Sequence, residues 1–302
     1  MSVITHPFAN RYPGIIRDTA EPPTVAPDQI FPVEFNGYTS LVALYGDSAG
    51  GCKDLAVSLP GWNATLKGQY PYAHESARLS NRSTGEGTVT AVFTQPATRL
   101  PRNPKELLEF REHLKRSAVG EQRARVAAAV VREACFRLQP ETVHLEGHST
   151  GAIDAINVAV RGDGFEAASV GSINGAGQLD EQHFWRAFKR ARGAACKQLN
   201  GPLPQFHDSV FGLAAVGIYA LRTSTEDGLT DLHDAYVPTF AVDGKLDTLY
   251  GTSDRSGYDA HDVIEDGHPC HQGPAHPYTA RLYAAAAHDL RAKAQAAVRS
   301  RS

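Results

Sequence analysis

Gly147-His148-Ser149-Thr150-Gly151 is a G-x-S-x-G pentapeptide, with a short strand signal over 142–146 before it and a small, apolar helical run over 152–160 after it. A serine hydroxyl attacks an acyl carbonyl only when a base takes its proton, and the base needs a third group to hold its tautomer and stabilise its charge. A serine on a strained strand-to-helix turn is exposed for attack. The helix N-terminus behind it offers free N–H groups to the oxygen that becomes negative. Glycines on either side of it are needed where a Cβ would strike the neighbouring backbone. Ser149 is therefore the candidate nucleophile of an acyl transfer.

Downstream lie an acid and a base in the order such a turn requires. Asp247 follows the apolar run 239–243 in Gly244-Lys245-Leu246-Asp247, and His268 follows 262–265 in Glu265-Asp266-Gly267-His268. Asp243 precedes the turn glycine and is expected to point elsewhere. His261, His271 and His276 compete with His268, which is preferred because it follows a strand and a glycine directly. His268-Pro269-Cys270-His271 fits no structural zinc spacing, so no metal or cofactor is implied. A second G-x-S-x-G, Gly46-Asp47-Ser48-Ala49-Gly50, is followed by no apolar helix and reads as a loop between a hairpin and a strand.

These residues need a scaffold, and the chain alternates strand and helix signals. Residues 30–35 and 39–45 are apolar runs on either side of Asn36-Gly37, a hairpin signal. Residues 55–59 form a buried strand stopped by the turn Pro60-Gly61-Trp62-Asn63, and 88–94 form a β-branched strand. A helix capped by Asn103 starts at Pro104, and a second carries Val126, Val130, Val131, Ala134, Cys135 and Leu138 at three- and four-residue steps. Strands over 142–146, 167–173, 239–243 and 262–265 and a closing helix over 277–298 follow. This order implies right-handed crossovers and an α/β class with a doubly wound, mostly parallel sheet. Asp247 and His268 then leave the carboxyl ends of parallel strands, where ligands bind.

Two segments interrupt the alternation. Residues 1–29 contain Pro7, Pro13, Pro22, Pro23 and Pro27 and read as a Pro-rich arm. Residues 178–237 are far longer than an ordinary α/β connection and read as an inserted helical cap or lid over the core, 30–177 and 238–302. Within the cap, Arg186, Lys189, Arg190, Arg192 and Lys197 read as a solvated helix face. Its Phe184, Trp185, Phe188, Phe206, Phe211 and Tyr219 have two readings of equal weight, a hydrophobic acyl site and packing of the cap onto the core.

The 302 residues are 42% hydrophobic, enough for one large core with an excursion, and the net charge of -3 disfavours nucleic acid or an anionic membrane as partner. The expected partner is a small-molecule ester with a hydrophobic acyl or alcohol part. Residues 1–17 carry prolines and polar residues in place of an apolar signal run, and no stretch is long enough to span a bilayer, so a cytoplasmic location is expected. Four scattered cysteines without a C-x-x-C pair read as buried or free thiols. Whether the arm packs on its own core or on a second copy, as in a homodimer, stays open.

The chain resembles the α/β-hydrolase fold superfamily, and within it a serine esterase or lipase with a helical cap. Phe31-Pro32-Val33-Glu34-Phe35-Asn36-Gly37 resembles the opening hairpin, Leu59-Pro60-Gly61-Trp62 the oxyanion loop, and Gly147 to Gly151 the nucleophile elbow. Pro238 to Asp247 resembles the acid-bearing strand and Val263 to His268 the histidine segment. The resemblance implies a triad of Ser149, His268 and Asp247 and an oxyanion hole made by the backbone N–H groups of Trp62 and Thr150. Asn63 and His148, beside the loop and the serine, join Phe184, Trp185, Phe188 and Phe211 as candidate pocket residues. Pro60 departs from the usual histidine, and Asn174 stands where some members carry an alternative acid. Serine in place of an elbow aspartate argues against dehalogenase and epoxide hydrolase chemistry. Ester hydrolysis is the first reading. Thioester cleavage, acyl transfer and C–C bond hydrolysis use the same triad, and a cofactor-free oxygenase or perhydrolase and a non-catalytic ligand-binding protein are more distant.

Overall fold

The computed structural model describes residues 26–46, 51–62, 64, 66–84, 87–95, 104–116, 119–175, 226–244, 255, 257–264 and 279–301. Residues 1–25 of the expected arm and residues 178–225 of the expected cap lie outside them. So do Asp247, His268, Asn63, Phe184, Trp185, Phe188, Phe211 and the second motif's Ser48.

The chain opens with a hairpin of β1 (Gln29–Phe35) and β2 (Tyr38–Tyr45). Asn36 (φ 47°) and Gly37 (φ 76°) both adopt the left-handed conformation that a two-residue turn demands. There follow β3 (Asp54–Leu59), α1 (Leu66–Thr84), β4 (Thr88–Phe93), α2 (Pro104–Arg116), α3 (Val119–Leu138), β5 (Thr142–His148), α4 (Gly151–Arg161) and β6 (Ser169–Ile173). After residue 225 come α5 (Glu226–Asp234), β7 (Thr239–Gly244), β8 (Ala260–Ile264) and α6 (Ala280–Arg299). The eight described strands lie in the order β1-β2-β4-β3-β5-β6-β7-β8. The β1/β2 and β2/β4 pairs are antiparallel, and the sheet from β4 to β8 is parallel, the doubly wound arrangement expected.

Helices cover both faces, as an all-parallel stretch requires. On one face Val130 and Ala134 of α3, Ala155 and Ile156 of α4, and Leu229 and Leu232 of α5 pack with Val57, Leu145 and Val170 of the sheet. On the other, Tyr72 of α1 and Tyr283, Ala287 and Leu290 of α6 pack with Ile173, Phe240 and Val242. None of the described helices is long and apolar enough to cross a membrane.

Two elements differ from the sequence expectation. α1 carries Pro71 inside it, and its buried stripe is Gln69, Tyr72, Ala73, Ser76, Ala77 and Ser80, a helical spacing written in small and polar residues. Polar side chains of α1 tie it to β4: Gln69 Nε2 donates to Phe93 O at 3.0 Å, and Asn81 pairs with both backbone groups of Thr88. α5 lies within the residues read as cap, yet it belongs to the core. Gly228 approaches α4 so closely that a Cβ there would fall 2.7 Å from Ile156 Cγ2. The core thus resumes at 226 rather than 238, because Leu229 and Leu232 complete the apolar face that α4 presents.

β5 crosses the middle of the sheet with a charge on its α1/α6 side. Glu146 is fully buried and accepts hydrogen bonds from Tyr72 Oη (2.7 Å) and from Arg291 of α6. Two residues earlier on the same side, His144 Nδ1 lies 2.8 Å from Ser169 Oγ. Burial, with the Arg291 cation as a second cause, holds the His144 imidazole well below its ordinary pKa, so it is neutral. Burial and the neighbouring Glu146 carboxylate push the Tyr72 hydroxyl well up.

Candidate active site

Ser149 sits between the end of β5 and the start of α4 with φ 58°, a left-handed conformation that a side-chain-bearing residue adopts at a cost of about 1–2 kcal/mol. Its amide donates to Ile173 O at 3.1 Å, tying the turn to the end of β6. The turn is tight because both flanking glycines permit it. A Cβ on Gly147 would lie 2.1 Å from Gly151 O, and one on Gly151 would lie 2.2 Å from Leu59 O. No side chain fits at either position, which is the physical content of G-x-S-x-G here.

Thr150 occupies the N-cap position of α4, and Gly151 opens the helix. The Ala152 amide donates to Ser149 O at 3.1 Å and the Ile153 amide to Thr150 O at 3.2 Å, so the first turn is wound immediately behind the serine. Asp154, fully buried, adds a negative charge to that turn.

The loop after β3 lies directly against Ser149. Gly61 approaches so that its Cβ would fall 2.9 Å from Ser149 Cβ and 3.5 Å from Ser149 Oγ. Trp62 follows, half-buried, with its ring edge-on to Phe110 of α2 (centroids 5.9 Å, interplanar angle 71°) and 5.1 Å from the Arg123 guanidinium carbon. Arg123 of α3 has no solvent exposure. It donates to Asp154 Oδ2 from Nε (3.0 Å) and Nη2 (2.6 Å), and Nη2 also donates to Pro60 O at 3.1 Å. The Trp62 ring is therefore engaged with Arg123 and Phe110.

β7 and β8 run parallel to β5 and end at Gly244 and Ile264, so the segments leading to Asp247 and His268 depart from the same sheet edge as Ser149. Asp243, the competing carboxylate, is buried and gripped at both oxygens by Arg255, whose Nη2 also donates to Gly175 O (2.8 Å), while His261 Nε2 lies 3.3 Å from Oδ2. It ties the ends of β6 and β7 together. Asn174 does the same with a neutral side chain: its Oδ1 accepts from Gly244 N (2.8 Å) and its Nδ2 donates to Tyr283 Oη (3.1 Å).

Sequence reasoning picked out Ser149, Thr150, His148, Gly61 and Trp62, and the structure brings Ser149 and Thr150 together with the Gly61-Trp62 loop. It missed Arg123, Asp154 and Arg255. The signal for Arg123 was its place on the buried face of α3, three and seven residues before Val126 and Val130. Asp154 stood out as the one charge in the small, apolar start of α4. Among the described residues no cluster of His, Cys, Asp and Glu could hold a metal ion.

No family model matches the sequence, and no curated protein matches it. Solved structures do. The chain is similar to an esterase of the fungus Rhizomucor miehei, with TM-score 0.57 and 13% identity over 89% of this chain and 86% of that one. It is similar to a carboxylesterase of the thaumarchaeon Nitrososphaera gargenis, with TM-score 0.52 and 15% identity over 89% and 100% of the two chains. A 2,6-dihydroxy-pseudo-oxynicotine hydrolase aligns with TM-score 0.51 and 16% identity over 89% of this chain and 68% of that one. At these identities the likeness is one of fold.

Proposed function

We propose that this chain, whose fold is that of the α/β-hydrolases, is a serine hydrolase that cleaves a carboxylic ester through an acyl-enzyme intermediate. The observation that carries the reading is Ser149 itself, a serine held at φ 58° on the strand-to-helix turn with the Gly61 loop against its side chain. The strain is retained where a hydroxyl must stand clear of both strand and helix, which is a requirement of nucleophilic attack and of nothing in the core.

In this reading His268, oriented by Asp247, takes the Ser149 proton as the hydroxyl attacks the ester carbonyl. The oxyanion is held by the amides of Trp62 and Thr150. His268 then protonates the leaving alcohol and activates the water that releases the acid. The commitment of Asp243 to Arg255 supports Asp247 as the acid. In the same reading the residues expected as a cap set acyl length, with Phe184, Trp185, Phe188 and Phe211 proposed as its apolar lining. The names of two fold neighbours, both esterases, favour an ester over other acyl groups.

The test is a fluorophosphonate probe followed by peptide mass mapping. The expected result is an adduct on Ser149 that disappears in Ser149→Ala and persists in Ser48→Ala. Absence of the adduct, or its equal loss in Ser48→Ala, sinks the assignment. A series of p-nitrophenyl esters of increasing acyl length then reads the pocket.

A further inference from the structure

Arg123 and Asp154 form a charged pair without solvent exposure on either side chain. Removing two such charges from water costs several kcal/mol each, and well-packed apolar residues of similar volume often serve stability as well or better. The pair must therefore be explained by what it holds in place. Three elements meet on one guanidinium. Nε and Nη2 donate to Asp154 in the first turn of α4, and Nη2 donates to the Pro60 carbonyl in the loop after β3. The guanidinium also stands over the ring of Trp62. A planar fork can reach a carboxylate and a carbonyl at once while stacking on a ring, which an ammonium cannot do.

The Trp62 amide lies between the two points that Arg123 fixes, the Pro60 carbonyl on the chain before it and the Trp62 ring after it. The Thr150 amide heads the helix whose first turn carries Asp154. We infer that Arg123 is the positioning residue of the oxyanion hole. It sets the spacing between the Trp62 and Thr150 amides by clamping the loop that carries one to the helix that carries the other. This rests on the serine-hydrolase reading above.

Donors of an oxyanion hole act on the charge that develops in the transition state, so a misplaced donor lowers kcat and leaves KM nearly alone. Arg123→Lys and Arg123→Met in the full chain would be assayed with p-nitrophenyl acetate and with an aryl trifluoromethyl ketone, whose hemiketal on the serine carries a real oxyanion. The expected result for both is a loss in kcat of about 10- to 100-fold, the upper end matching removal of one donor. KM should stay within about threefold, and the ketone's inhibition constant should rise by the same factor as kcat/KM falls. If Arg123→Met does not fold, Asp154→Asn keeps the shape of the pair and reads the same constants. A loss of kcat with an unchanged ketone constant means that Arg123 merely supports the fold and overturns the inference, as do unchanged kinetics. Fluorophosphonate labelling separates the two failures. An unlabelled Ser149 in the parent chain overturns the hydrolase reading and this inference with it, whereas a labelled Ser149 with unaltered Arg123 variants overturns this inference alone.

Discussion

Gly61 touches Ser149: a Cβ on Gly61 would stand 2.9 Å from Ser149 Cβ and 3.2 Å from His148 O. The loop and the nucleophile are packed so closely that the glycine is part of the site's shape. Gly61→Ala must push the loop off the serine and move the Trp62 amide with it. We predict a loss in kcat of about tenfold or more with a folded protein, since a displacement of a few tenths of an ångström already degrades oxyanion geometry. Steady-state kinetics beside a thermal melt check it. Gly147→Ala and Gly151→Ala meet backbone atoms at 2.1–2.2 Å and should lower stability more than Gly61→Ala does.

Strain at the nucleophile can be measured by removing it. Ser149→Ala and Ser149→Gly both lack the hydroxyl, but only alanine keeps a Cβ at φ 58°. Relief of the left-handed penalty outweighs glycine's extra chain entropy, so Ser149→Gly should be the more stable of the two by about 0.5–1 kcal/mol in urea unfolding. Equal stability would argue that the turn holds no strain.

The Glu146 carboxylate depends on Arg291. Arg291→Met leaves a buried charge with only the Tyr72 hydroxyl to satisfy it, and should cost about 3–5 kcal/mol of unfolding free energy. Adding Glu146→Gln should restore part of that loss, because the double variant has no uncompensated charge. A double variant as unstable as the sum of the singles would contradict this coupling.

Acid should destabilise the protein through His144. Its folded pKa lies well below the ordinary 6.5, so below that pH the unfolded chain binds a proton that the folded chain refuses. Stability is fully present above about pH 6.5 and falls as pH drops toward the folded value. His288, half-buried and lowered by burial and by Arg291, acts with the same sign. Urea midpoints measured between about pH 7.5 and 5 should decline for the parent and decline less for His144→Gln.

The sheet was legible because its strands are written in β-branched and apolar residues, and the hairpin because Asn36-Gly37 allows two left-handed residues in succession. α1 was not, since its buried stripe interleaves Gln69, Ser76 and Ser80 with Tyr72, Ala73 and Ala77 and has Pro71 inside, which blurs the apolar period. At the site, the turn around Ser149 was legible from its two glycines, whose necessity is local. The Arg123 clamp was not: Arg123 and Asp154 are 31 residues apart on different helices, and a charge on an apolar helix face does not by itself name its partner. Only the packing of α3 against α4 makes them a pair. α5 was misjudged for a similar reason, as its short apolar face has meaning only beside Ile156.

Glu146 and Arg291 are separated by 145 positions in the chain, and they meet three residues upstream of the nucleophile. During synthesis the strand that feeds the elbow emerges long before its guanidinium partner does. Until α6 arrives, that strand holds a carboxylate it cannot bury without penalty, and the central crossover has reason to stay loose. α6 thus supplies the charge that lets β5 be buried as well as a wall of the core. A chain cut before α6 should carry Ser149 at the end of a strand whose buried carboxylate has lost its guanidinium.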